Sequence, residues 1–236
     1  MSDASAGVAR QTDDEFLLAC IHDIRLHLRR SVTRAQMLEK RAGDCLKKPD
    51  LKVHLDEILL AGGEMDILLT RLAQLAVAGG APYDKPLGDV GILFDSALRR
   101  LAKSNVHAEV SGQLLHASGI SAPYSFEIVL RELLDNALKF REGPVNITIL
   151  VEQMSGNHVF GVKDTGIGFD PQYGEKIMQP LERLHSASAY PGCGLGLAIC
   201  RRTVQAWGGK IWAESKMGSG ATFWFSLPME LASRPS

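Results

Sequence analysis

Several things are scarce in this 236-residue chain, and each scarcity excludes something. No apolar run approaches the roughly 20 residues needed to cross a bilayer. The start, Met1 to Asp14, is small, polar and acidic, without the basic-then-apolar order of a signal peptide. Cysteine is sparse: Cys20, Cys45, Cys193 and Cys200 form no C-x-x-C pair. That argues against a zinc site or a disulfide framework and for reduced thiols in the cytoplasm. Excess charge of one sign is missing too, with 26 Lys and Arg against 27 Asp and Glu and a net charge of −1. Such a chain has no global drive toward nucleic acid or anionic lipid. What remains, 45 % hydrophobic and 22 % charged residues, is ordinary globular usage. The length suits one large domain or two compact ones.

Proline is also rare at first: residues 14–78 hold only Pro49. Leu17, Ile21, Ile24, Leu28, Ser31, Ala35, Leu38, Ala42 and Cys45 follow a 4, 3, 4, 3 spacing, a heptad seam. Lys47 to Asp50 reads as a turn, and a second seam runs through Leu51, Leu55, Ile58, Gly62, Met65, Leu69, Leu72 and Ala76. Two long helices joined by a tight turn make an antiparallel hairpin over 14–78, preceded by a flexible 1–13. A hairpin has too little core alone, so pairing with a second copy into a four-helix bundle is expected. Gly62-Gly63 marks a flexible or closely packed point, or a weak spot without function. Gly79 to Leu87 is a linker by composition, residues 88–228 a mixed α/β domain, and 229–236 a loose tail.

Four segments in this order have chemical potential. His22-Asp23 lies at the flank of the first seam, where an imidazole with a following carboxylate suits a nucleophile; an incidental surface histidine also fits. Within Glu132 to Arg141, helical spacing puts Glu132, Asn136 and Lys139 on one face. An acid, an amide and a cation suit hydrated Mg²⁺ with triphosphate oxygens, and equally a solvated face. Asp164-Thr165-Gly166-Ile167-Gly168 follows a strand; its aspartate can accept from an exocyclic amine such as that of adenine, although an ordinary turn reads the same way. Gly192-Cys193-Gly194-Leu195-Gly196 opens a helix, whose free N–H groups favour phosphate.

Together these segments resemble the two-component sensor histidine kinases over roughly residues 14–228. His22-Asp23-Ile24-Arg25 resembles the H box, Glu132 to Arg141 the N box, Asp164 to Gly168 the G1 box, Gly192 to Gly196 the G2 box, and Gly218 to Thr222 the last glycine-rich box. The run from Gln179 through His185 to Gly192 is especially similar to kinase modules of bacteriophytochromes. The resemblance implies an α+β fold: a dimeric helical hairpin, then an α/β sandwich of the GHKL (Bergerat) ATP-binding type. It implies that His22 accepts the γ-phosphoryl group of ATP with help from Asp23, and that a response regulator receives it next. It further implies that Asn136 ligates Mg²⁺ with support from Glu132, that Lys139 and Arg141 neutralise phosphate, and that Asp164 reads adenine. Gly166, Gly168, Gly194 and Gly196 would let the backbone reach the nucleotide, with further contacts from Arg183, Gly192, Leu195 and Thr222, under a lid of residues 170–193.

The departures bear on function. Leu26 and His27 stand where the family usually has a polar residue and then proline. Leu26 has no group to place a water, which implies weak phosphatase activity toward the regulator and a straight first helix. Met178 and Leu181 replace two phenylalanines by other apolar residues, so lid packing should survive. Few residues precede the hairpin, implying a separate sensor polypeptide or an excised kinase module. A non-catalytic dimeric adaptor is the competing reading, and nucleotide affinity separates the two.

Overall fold

A computed structural model describes residues 2–42, 49–78, 88–103, 108–112, 120–123, 125–186 and 189–229. They fall into two compact units, Met1–Gly80 and Ala81–Ser236. The expected linker at 79–87, the turn residues before Pro49 and the tail beyond Met229 lie outside the described residues.

The first unit is the hairpin of α1 (Ser2–Ala42) and α2 (Pro49–Val77). Helix α1 starts well before the expected boundary at residue 14, because Ala4, Ala6, Ala9, Arg10 and Gln11 favour helix and no proline interrupts them. Pro49 opens α2, where a missing N–H costs nothing. Both seams exist, but the structure divides them. Ile21, Ala35, Leu55, Leu69 and Ala76 are buried between the two helices, joined by the half-buried Arg25, Val32, Leu59 and Asp66. Leu17, Ile24, Leu38, Leu51, Ile58 and Met65 face outward and exposed. A two-helix contact uses only one side of each heptad stripe, so alternate seam members remain for another partner. Gly62 is a close-packing point: an added Cβ would lie 2.5 Å from Val32 Cγ2, whereas one on Gly63 would meet nothing. Neither glycine breaks α2. Arg25 crosses to α2, with Nε 3.2 Å from Asp66 Oδ1 and Nη2 donating to Thr70 Oγ1 at 3.0 Å.

The second unit begins with β1 (Gly88–Asp89), which pairs with β3 (Ser121–Ala122), a short ladder the sequence did not reveal. Helix α3 is Val90–Lys103, β2 Ala108–Gly112, α4 Ser125–Lys139, β4 Val145–Met154, β5 Asn157–Asp164, α5 Gly196–Ala206, β6 Ile211–Ser215 and β7 Ala221–Pro228. The sheet order is β2-β4-β5-β7-β6; β2 and β4 are parallel and the other pairs antiparallel. Alternation along β4 sends Val145, Ile147 and Ile149 to the helix-covered face, as their spacing implies. Phe126 of α4 anchors that face. Its ring lies 5.0 Å from Phe160, 5.3 Å from Phe225 and 6.0 Å from Trp207. Edge-to-face aromatic contacts add about 0.5–1.5 kcal/mol each beyond area burial, which fixes α4 rigidly against the sheet. The Trp207 indole N–H donates to Ser125 Oγ at 3.0 Å, tying the end of α5 to the start of α4. These two helices and the end of β5 position the site.

Candidate nucleotide site

Asp164 ends β5 and is buried, at 6 % exposure. Its Oδ1 accepts the backbone N–H of Gly166 at 2.8 Å and of Ala221 at 3.3 Å. Burial raises its pKa above the ordinary carboxylate value, and those two bonds oppose the rise. Among the described residues no protein donor reaches Oδ2, which leaves one carboxylate oxygen for a ligand.

The glycines around it answer to the protein's own backbone. A Cβ on Gly166 would lie 2.2 Å from the Phe140 carbonyl oxygen, and one on Gly168 (φ +61°) 2.2 Å from that of Lys216. At both positions the space a side chain would need is filled by protein backbone. The Ile167 N–H donates to the Phe140 carbonyl at 3.0 Å and the Gly218 N–H to the Ile167 carbonyl at 2.7 Å, so this loop is clamped between the end of α4 and the β6–β7 turn.

On α4, Glu132 is 4 % exposed and its Oε2 lies 2.7 Å from where a Cβ on Gly196 would sit. Its carboxylate thus rests at the first turn of α5, which has no side-chain cap, and complements the positive end of that helix. Asn136 follows one turn later, half-buried. Lys139, at the end of α4, lies 4.6 Å above the Phe140 ring, and its Nζ would be 2.7 Å from a Cβ on Gly192 (φ +138°). Burial pushes the Lys139 ammonium below its ordinary value, the neighbouring Arg183 charge pushes it the same way, and Cys193 opposes. Among the described residues neither Lys139 nor Arg183 pairs with a carboxylate. Two cations, one of them half desolvated, stand together without an anion.

Arg141 is not brought to this cluster. Its Nε donates to the Leu138 carbonyl at 2.9 Å and its Nη1 to the Gly143 carbonyl. The orphan carbonyls at the end of α4 hold the guanidinium. Alternation along β7 puts Thr222 beside Lys163 and Glu214, on the opposite face from Ala221 and Phe223. The backbone N–H of Ala221 donates to Asp164. The Leu195 side chain is fully buried, so only its backbone can face a ligand.

Between β5 and α5 the chain makes short 3₁₀ turns at Pro171–Tyr173 and Lys176–Met178. Met178 is buried and fills the core as an apolar replacement should; Leu181 does not pack, being 57 % exposed with φ +65°. The Leu181 N–H donates to the Gly194 carbonyl at 2.9 Å, closing the neck of the following loop. In the hairpin unit, His22, Asp23, Leu26 and His27 are all exposed on α1, within two turns of the buried Ile21.

Residues 122–231 match the family described as histidine kinase-, DNA gyrase B- and HSP90-like ATPase. This segment is a histidine kinase-type ATPase domain. The chain is 31 % identical over 220 residues to phytochrome-like protein Cph1 of Synechocystis, covering 91 % of this chain and 29 % of that one. It is 31 % identical over 244 residues to sensor histidine kinase AruS of Pseudomonas aeruginosa, covering 97 % of this chain and 24 % of that one. The chain thus spans less than a third of these relatives. Full-length ShkA, crystallised with AMPPNP, has the same fold, with a TM-score of 0.64 at 23 % identity over 91 % of this chain and 45 % of that one. The order of a helical hairpin and a GHKL-type ATP-binding domain is that of its histidine kinase homologues. None of the described helices is long and apolar enough to cross a membrane.

Proposed function

We propose that this chain is the kinase module of a two-component system, binding MgATP and phosphorylating His22. The observation carrying the nucleotide half is the pair of cations Lys139 and Arg183, without a carboxylate, beside a helix N-terminus and near a buried aspartate with one free oxygen. A triphosphate satisfies the cations and an adenine amino group satisfies Asp164 Oδ2. No group of three or more His, Cys, Asp or Glu among the described residues suits a metal ion. Asn136 would supply a protein oxygen to Mg²⁺ carried by the triphosphate, consistent with the few protein ligands this ion takes.

The hairpin half rests on His22, exposed on α1, where a neutral imidazole offers one ring nitrogen as nucleophile. That nitrogen bonds to the γ-phosphorus, the bond from phosphorus to the bridging oxygen breaks, and ADP leaves with the electron pair. The phosphorylated ring is then cationic with its single N–H still in place, and Asp23 takes that proton to restore a neutral ring. Catalysis is then mostly positioning and charge neutralisation. The exposed stripe of Leu17, Ile24, Leu38, Leu51, Ile58 and Met65 supports pairing with a second hairpin in a four-helix bundle. A receiver domain of a response regulator is the onward acceptor, and a separate or adjoining sensor controls the module in the cytoplasm.

The test is incubation with γ-labelled ATP and Mg²⁺. The wild type should acquire acid-labile, alkali-stable label, and His22→Gln none. Label of equal amount on both proteins would remove His22 as acceptor; no label and no ATP binding would leave the adaptor reading in its place, whereas ATP binding without label would point to a module awaiting its sensor or regulator.

A further inference from the structure

Three rings close on one another at the end of α4. Phe140 lies 5.2 Å from Tyr190 and 6.1 Å from His185, and His185 lies 5.3 Å from Tyr190 in an edge-to-face arrangement. Each pair is therefore in contact, although Phe140 is 50 residues from Tyr190 in sequence. All three are half-buried. The triangle is wired to both unpaired cations. Lys139 lies over the Phe140 ring. The Tyr190 carbonyl accepts from Arg183 Nη2 at 2.7 Å, and the Tyr190 N–H donates to the Ser186 carbonyl at 3.1 Å. Lys139 and Arg183 are near enough to repel, and both are tied to this triangle, one by its ring and the other by the Tyr190 carbonyl.

We propose that Tyr190 is a positioning residue for the nucleotide phosphates: with Phe140 and His185 it forms an aromatic latch that holds Lys139 and Arg183 side by side before any nucleotide binds. The inference rests on the nucleotide-binding reading above. Its physical content is preorganisation. A site whose cations are already assembled loses less freedom on binding, and the gain appears in affinity for the phosphates. Ring contact between the loop and α4 supplies the holding force, since the Tyr190 hydroxyl accepts no hydrogen bond from either cation.

The consequence is selective. Tyr190→Ala removes two of the three ring contacts and leaves Asp164 and its surrounding loop untouched. ATP affinity should fall about tenfold, equivalent to roughly 1.4 kcal/mol. Adenosine, which carries no phosphate, should bind both proteins equally. Tyr190→Phe keeps the ring and should bind ATP within about twofold of wild type. In phosphorylation assays KM for ATP should rise in Tyr190→Ala with kcat little changed.

The experiment is displacement of a fluorescent ADP analogue from the full chain by ATP and by adenosine, for wild type, Tyr190→Ala and Tyr190→Phe. The expected result is loss of ATP affinity alone, in the alanine variant alone. Equal ATP affinity in wild type and Tyr190→Ala overturns the latch, and so does a tighter alanine variant, which would make the triangle an obstacle. Parallel loss for ATP and adenosine also overturns it, because the tyrosine would then only support the fold. A wild type that binds neither compound removes the nucleotide reading itself, a result distinct from all of these.

Discussion

Replacing Asp164 by asparagine separates recognition from folding at this site. Oδ1 of Asp164 holds the Gly166 and Ala221 N–H groups at 2.8 and 3.3 Å, and asparagine keeps an acceptor in that place. Oδ2, which no protein donor among the described residues reaches, becomes an NH₂ group. An adenine amino group facing it would then meet a donor instead of an acceptor. Loss of a bond to a charged group costs about 1.5–3 kcal/mol, or roughly 10- to 150-fold in affinity. Stability should move the other way. Burial raises the Asp164 pKa in the folded state, so the group favours folding below its unfolded pKa and loses that contribution as pH rises through the folded value. At pH 7 the carboxylate is a burden that asparagine removes, and the variant should be at least as stable as wild type. Calorimetric titration with ATP and urea unfolding at pH 4 and pH 7 measure both. Inorganic triphosphate should compete equally in the two proteins. An Asp164→Asn variant that binds ATP within twofold of wild type would refute the adenine role. One that is strongly destabilised at pH 7 would refute the electrostatic argument.

Gly62→Ala and Gly63→Ala should differ in sign. The first forces a methyl to within 2.5 Å of a stiff valine, an overpacking cost of about 1–3 kcal/mol against a helix gain of about 1 kcal/mol; the second takes the helix gain alone. Urea midpoints read the difference, and two equally stable variants would show that α1 and α2 do not meet at Gly62. His158 is held below its ordinary pKa by burial, so stability should fall as pH drops through the unfolded histidine range, where the unfolded chain takes a proton that the folded one resists. His158→Gln should flatten this part of the unfolding curve between about pH 7.5 and 5.5; an unchanged slope would assign the loss to another group. Leu26 is exposed one turn beyond His22 and has nothing to hold a water, so Leu26→Thr should raise dephosphorylation of a phosphorylated regulator, and an unaltered rate would remove that explanation.

The elements legible in the sequence are those whose pattern is local. The 4, 3 spacing gives two helices, the alternation of Val145 to Val151 gives β4, and the strand-end position of Asp164 gives the buried carboxylate. What the pattern could not divide was each heptad stripe between the partner helix and the outside: Ile21 and Ile24 look alike in sequence, yet one is buried and the other exposed. The surroundings of Arg141 were hidden for a related reason: the helix ends at Lys139, and its free carbonyls hold the guanidinium. Ala221 and Thr222 differ by one position, and in a strand one position changes the face. The aromatic triangle left no local signal, because Phe140 meets Tyr190 only through the folding of the intervening chain.

A glycine-rich stretch beside a ligand site is naturally read as room for the ligand. Here the added Cβ of Gly166 strikes the Phe140 carbonyl, that of Gly220 (φ +82°) the Asp164 carbonyl oxygen at 2.0 Å, and that of Gly194 (φ +71°) the Glu182 carbonyl oxygen at 2.9 Å. These glycines let three backbone segments approach one another around Asp164, and two more meet at the neck of the loop carrying Arg183. The same Phe140 residue whose carbonyl limits Gly166 contributes the ring that Lys139 and Tyr190 share. The end of α4 therefore meets the Asp164 loop through its backbone and Lys139 and Tyr190 through its side chain. A substitution at Gly166 should accordingly disturb the cation pair as well as Asp164, even though it touches neither Lys139 nor Arg183.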